Sequence, residues 1–211
     1  MGRARWIRKH QVIDAVVRGV IRAGVFCATV LFLLSIVSAC RGSEPGSQPW
    51  RTSAASPSDP AFELRSVSFQ AGGQIPRELT CDGDDNSPLL TWTDPPSRTE
   101  SFALIVDDPD APGGTWNHWL LWDVPAHVHT LAEDFRPGSV GASGKNDFGR
   151  LGYGGPCPPK GHGVHRYRFT VLAADRPVLG LPPGAKRPDL DRALKGRILA
   201  QAQYLGRYGR R

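Results

Sequence analysis

No triplet period accompanies the 24 glycines and 19 prolines of this 211-residue chain, so a collagen-like assembly is excluded and a loop-rich, β-rich domain is favoured. No internal repeat is visible. There is no G-x-S-x-G nucleophile turn and no second cysteine pair of the kind that builds a structural zinc site. Hydrophobic residues at 40% and charged residues at 22% are ordinary globular values, which exclude a wholly disordered chain.

The domain also has almost no net charge, although the chain carries a formal +6. Arg3, Arg5, Arg8, Lys9, Arg18 and Arg22 lie before Cys40 with Asp14 as the one acid. Of 26 basic and 20 acidic residues, that leaves 20 and 19 from Cys40 onward. A near-neutral domain without a basic stripe has no footprint for a phosphate backbone, so nucleic acid is not expected as a partner.

The basic residues belong to an address. Val25–Val37, VFCATVLFLLSIV, is a charge-free run preceded by basic residues and followed by small ones, the layout of a secretory signal. Thirteen helical residues reach only about 20 Å, short of a bilayer core of about 30 Å. The run ends in Val37-Ser38-Ala39-Cys40, which resembles a bacterial lipoprotein box, so residues 1–39 are expected to be removed and Cys40 to carry lipid. A plainly cleaved signal or an uncleaved anchor are the alternatives. Met1 is the only methionine and the basic stretch is long, which leaves room for a start further in. Residues 40–60, rich in Ser, Pro and Gly, read as a flexible tether, and residues 61–211 as the folded domain.

Within that domain, Phe62–Phe69, Ser101–Val106, His118–Val124 and Arg166–Ala173 read as strands separated by turn-rich stretches. Leu190, Leu194, Ile198, Ala202 and Leu205 fall on one helical face. That spacing predicts a closing helix that starts at Pro188-Asp189 and stops at Gly206 or Gly209. The expected fold is mostly β with a C-terminal α-helix.

Polar residues crowd into three strand ends. The first is Asp107-Asp108-Pro109-Asp110-Ala111-Pro112, where two prolines stiffen a turn that holds carboxylates. The second is Trp116-Asn117-His118-Trp119, in which strict alternation puts His118 on one face with Leu120 and Trp122. The third runs from Gly154-Gly155-Pro156-Cys157 to His165-Arg166-Tyr167, where His165 and Tyr167 share a face. Each has an ordinary structural reading as a turn former or a strand-end donor. The three converge only if their strands lie together.

TCDGDDNSPLLTW, DDPDAP, NHWLLWDVPA, GGPCPPKGHGVHRYRF and the closing ILAQAQYLGRYGRR together resemble the phosphatidylethanolamine-binding protein family, in its bacterial Raf-kinase-inhibitor-like branch. The resemblance runs from about Phe62 to Tyr208. It implies an antiparallel β-sandwich with Greek-key-like connections and small peripheral helices, and a small anion-accepting pocket at one end. Carried over by motif, Asp108, Asp110, His118, His165 and Tyr167 line the pocket, with Gly155, Pro156 and Cys157 as a wall. The KGHGV loop is longer than in many relatives, which leaves the pocket rim open. The family binds phosphate-bearing head groups, and some members inhibit kinases or proteases. The carboxylates would repel phosphate, so orienting and charging the imidazoles, or meeting an ammonium group, is their expected work.

The expected ligand is therefore a small phosphorylated or carboxylated molecule, with no cofactor or metal. The membrane is reached through the lipid anchor, and a protein target is an open second partner. The domain is expected to bind rather than catalyse, with a protease or kinase inhibitor as the alternative and an Asp/His hydrolase as a weaker one. Once Cys27 leaves with the signal and Cys40 carries lipid, Cys81 and Cys157 remain. An oxidising compartment permits them to pair, whereas the same motifs occur in cytoplasmic relatives, where pairing is not expected.

Overall fold

The computed structural model describes residues 61–211. The signal, the lipidation site at Cys40 and the tether lie outside the described residues. Two antiparallel sheets face each other. The smaller is ordered β1 (Leu64–Arg65), β2 (Leu90–Trp92) and β5 (Thr130–Leu131). The larger is ordered β6 (Ala142–Ser143), β4 (Trp116–Pro125), β3 (Ser101–Asp108), β7 (Val164–Ala174) and β8 (Ile198–Gly209). The chain leaves the β3–β4 pair and returns much later to lay β7 along β3's other side, a Greek-key-like connection.

All eight residues of β3 are buried, because the larger sheet is covered on both faces. Phe102, Leu104 and Val106 face the main core with Trp92, Trp119, Leu121, Phe169 and Val171. Ala103 and Ile105 face the other way and pack, with Leu120, Trp122 and Leu172, under Leu190 and Leu194 of α1 (Arg187–Leu194). A strand buried on both sides reads as a continuous apolar run, and FALIV is one.

Three sequence expectations change here. The helix ends at Leu194, where Gly196 adopts φ 72°, and Ile198–Gly209 is a strand paired with β7 along its whole length. The same residues also alternate, with Ala202, Gly206 and Tyr208 buried and Gln201, Gln203 and Arg207 exposed. The open edge of β7 offered a full ladder of backbone bonds, and the two-residue period prevailed. The helix begins at Arg187 rather than at Pro188-Asp189, and Asp189 is its third residue, accepting a bond from the Lys186 N–H at 3.2 Å. Of Phe62–Phe69 only Leu64 and Arg65 pair as a strand. Ser66 then turns the chain, donating to the Leu89 carbonyl at 2.6 Å and accepting from the Ser68 N–H at 3.1 Å.

Candidate functional site

Asp108 closes β3, His118 opens β4 and His165 opens β7, and the ladder brings all three to one end of the larger sheet. His118 arrives by an irregularity. Val106 pairs with Trp119 and Asp107 with Asn117, so His118 has no residue opposite it. A bulge of this kind re-aims a side chain. It takes His118 off the face that Leu120 and Trp122 share with α1, and turns its ring edge-on to Tyr167 at 5.2 Å between centroids. Strict alternation had placed it on the wrong face.

These residues bound a cavity of about 230 Å³, lined by Asp108, Ala111, Pro112, Gly113, Trp116, His118, Phe148, Cys157, Pro158, Pro159 and His165. Asp108 is buried, and both its oxygens are engaged. Oδ2 accepts from His165 Nδ1 at 2.8 Å and Oδ1 from the Asp110 N–H at 2.8 Å. His165 is buried too, and its Nε2 lies 3.0 Å from Nδ1 of His162, an exposed residue of the KGHGV loop. A buried carboxylate is thus tied through two imidazoles to solvent.

His118 Nδ1 lies 2.6 Å from the Gly154 carbonyl. A carbonyl only accepts, so Nδ1 carries the proton and a neutral ring leaves Nε2 as a bare acceptor. Burial holds the His118 pKa below its ordinary 6.5, against the Gly154 carbonyl and the Asp108 charge, which both favour the cation. Phe148 stands edge-on to the same ring at 5.3 Å and to Trp116 at 5.5 Å, and both aromatics remain over a third exposed at the mouth.

The wall is a strap stitched into place. Gly154 donates to the His118 carbonyl at 2.9 Å, Gly155 donates to Asp85 at 2.6 Å, and the Pro156 carbonyl accepts from the Cys81 N–H at 3.2 Å. Cys157 is joined to Cys81 by a disulfide, with Cα atoms 5.4 Å apart. Glycine is required at position 155, because a Cβ would stand 2.5 Å from the Leu79 carbonyl oxygen.

Of the eight residues expected at the pocket, Asp108, His118, Cys157 and His165 line the cavity. Asp110 does not. Its carboxylate is held by the Arg166 side chain at 2.6 and 2.8 Å and by the Arg166 N–H at 2.9 Å, and these bonds lower its pKa to about 2. Tyr167 stands behind His118. It is fully buried, its hydroxyl has no partner within hydrogen-bond distance, and burial pushes its pKa far up. Gly155 and Pro156 form the layer behind Cys157. Apart from the turn residues Ala111–Gly113 and Pro158–Pro159, the residues missed are Trp116, His162 and Phe148. The first two sit inside motifs already singled out, whereas nothing around Phe148 in GKNDFGR marks it in the sequence.

A family model described as phosphatidylethanolamine-binding protein matches residues 65–209. A protein of Aquifex aeolicus named UPF0098 is 54% identical over 152 residues, which cover 71% of this chain and 89% of that protein. A Mycobacterium tuberculosis protein provisionally named lipoprotein LppC is 39% identical over 153 residues, covering 72% of this chain and 74% of that one. Among solved structures, Escherichia coli YbcL, described as a member of the mammalian PEBP family, superposes with a TM-score of 0.67. Its identity is 33%, over 71% of this chain and 99% of that one.

Proposed function

This chain belongs to the phosphatidylethanolamine-binding protein family, and on that premise we propose that it is an exported, lipid-anchored binding protein that holds a small phosphate-bearing group in the Asp108–His118–His165 cavity. The observation that carries the reading is the pair of buried imidazoles facing one cavity with their Nδ1 atoms both fixed, His165 by Asp108 and His118 by Gly154. Fixed rings need no further ordering to meet a ligand: His118 Nε2 has no partner among the described residues, and His165 Nε2 is reached by a ligand oxygen that displaces His162. The cavity walls are mainly apolar, which strengthens each polar contact inside. Binding fits better than hydrolysis, because the one cysteine in the cavity is held in a disulfide and no serine or lysine lines it.

Calorimetric titration of the full chain with phosphoethanolamine at pH 6 tests this. Saturable one-site binding that weakens at least tenfold in His165→Ala is expected, and an absence of heat with the protein folded would overturn it. Export and lipidation are supported by the Val37–Cys40 box and the relative named as a lipoprotein. The mass of the membrane-extracted protein decides that point: an N-terminal Cys40 bearing acyl chains is expected, and an unmodified intact N-terminus contradicts it. One observation favours the second reading, a protein inhibitor using the same surface: Trp116 and Phe148 stand exposed at the mouth, where a protein partner could seat an apolar side chain.

A further inference from the structure

The inference that follows rests on the anion reading of this cavity and concerns which anion it takes. An oxyanion site ordinarily presents donors alone, and this one also presents a carboxylate and an imidazole lone pair. The Asp108 carboxylate lines the cavity with both oxygens already accepting bonds, and it brings a negative charge rather than a proton. Both nitrogens of His165 are engaged, by Asp108 and by His162. The Trp116 indole lines the cavity with a donor, whereas His118 Nε2, without a partner among the described residues, is in the neutral ring a lone pair. The guanidinium groups near this rim are already paired: Arg166 with Asp110 in a bidentate pair, and Arg210, whose Nη1 lies 3.6 Å from Cys157 Sγ, with Asp82.

The groups facing His118 come from every element packed against it. Asp107 and Asp108 of β3 supply negative charge, while Tyr167 of β7 supplies a ring face and an unionised hydroxyl. The 154–155 strap supplies carbonyls and Phe148 an apolar edge. None of them is a cation.

We propose that the cavity selects an oxyanion that carries a proton, a hydrogenphosphate or a phosphomonoester monoanion, whose P–OH donates to His118 Nε2, and that it discriminates against sulfate of the same size and charge. A bare dianion would place oxygen lone pairs against the Asp108 carboxylate and the His118 lone pair, leaving the buried His118 acceptor without a donor. Hydrogenphosphate brings the required proton at any pH near neutrality. A phosphomonoester is mostly a dianion above its second pKa, so its binding takes one proton from solvent, which comes to rest between a non-bridging phosphoryl oxygen and His118 Nε2.

The experiment has three arms, each a calorimetric titration of the full chain at pH 6 and pH 8: inorganic phosphate, sulfate and phosphoethanolamine. Phosphate is expected to bind at least tenfold more tightly than sulfate at pH 8, the effect of about one unmet buried polar contact. Phosphoethanolamine is expected to lose about 50-fold in affinity between pH 6 and pH 8, as follows from a second phosphate pKa near 6. Repeating the pH 8 titration in buffers of different ionisation enthalpy should give an uptake of about one proton per phosphoethanolamine and far less for inorganic phosphate. The ¹⁵N signal of His118 Nε2 should move from an unprotonated to a hydrogen-bonded position on binding. Sulfate within threefold of phosphate, or phosphoethanolamine binding without proton uptake, overturns the selection while leaving the anion site standing. Failure of all three to bind at either pH removes both.

Discussion

Asp108 organises the cavity, and its substitution reads out that role most cleanly. Its two bonds, to the His165 ring and the Asp110 backbone, are made in a buried setting where a lost charge-assisted partner is costly. Asp108→Asn is expected to lower stability by about 3 kcal/mol in a denaturant titration, and a change below about 0.5 kcal/mol contradicts the geometry. Asp110 has a different office. Clamped by Arg166 and half-exposed, it should stay ionised to about pH 2. Its contribution to stability is therefore present above the ordinary 3.8 and lost as pH falls toward 2; a carboxyl NMR titration with a midpoint near 4 refutes the clamp. His118 has the same sign for a different reason, burial of the ring rather than a salt bridge, and acts in a higher pH window. Because its pKa is lowered by burial, the unfolded chain takes up a proton before the folded one, so stability falls as pH drops below about 6.5. Thermal unfolding in the presence and absence of His118→Asn should show the shallower acid slope in the variant. The motifs made Asp108, His118 and His165 legible as site residues. They could not show that Asp110 and Tyr167 turn elsewhere, since an arginine's choice of partner and a ring's depth belong to packing.

At the level of elements, the bulge at His118 and the strand β8 mark where periodicity stopped short. An alternation rule assumes an unbroken ladder, and the offset between Val106–Trp119 and Asp107–Asn117 breaks it by one residue, at the residue that matters. Ile198–Gly209 satisfies helical and strand spacing at once, and only the unpaired edge of β7 decides between them. The strap 154–157 was legible as a wall because glycine and proline punctuate it, although its anchors on Asp85 and Cys81 are distant in sequence. Gly155→Ala tests the strap. A Cβ 2.5 Å from the Leu79 oxygen and 2.7 Å from Asp85 Oδ1 cannot be accommodated without moving backbone. The variant is expected to lose roughly 2–4 kcal/mol of stability, together with affinity for phosphoethanolamine, and wild-type melting with unaltered binding contradicts this.

In the whole molecule, the sandwich brings three strand ends and one crosslinked strap to a single point, and the Cys81–Cys157 bond ties that point to the turn below it. Closing a separation of 76 residues, the bond should contribute about 4 kcal/mol by restricting the unfolded chain. Reduction, or Cys81→Ser with Cys157→Ser, is expected to lower the unfolding free energy by that amount in a denaturant titration; an unchanged value in reductant contradicts it. The sandwich was legible through the family motifs. The two-sided burial of the larger sheet was not, because α1 covers it from a place that spacing alone had extended too far. The central claim remains that this end of the sandwich is an anion site, and an NMR titration of the full chain with phosphoethanolamine at pH 6 tests it most directly. Saturable shifts confined to Asp108–Gly113, Trp116–His118, Phe148 and Cys157–His165 are predicted. Shifts absent from those segments, or centred on the groove beside α1, would contradict it.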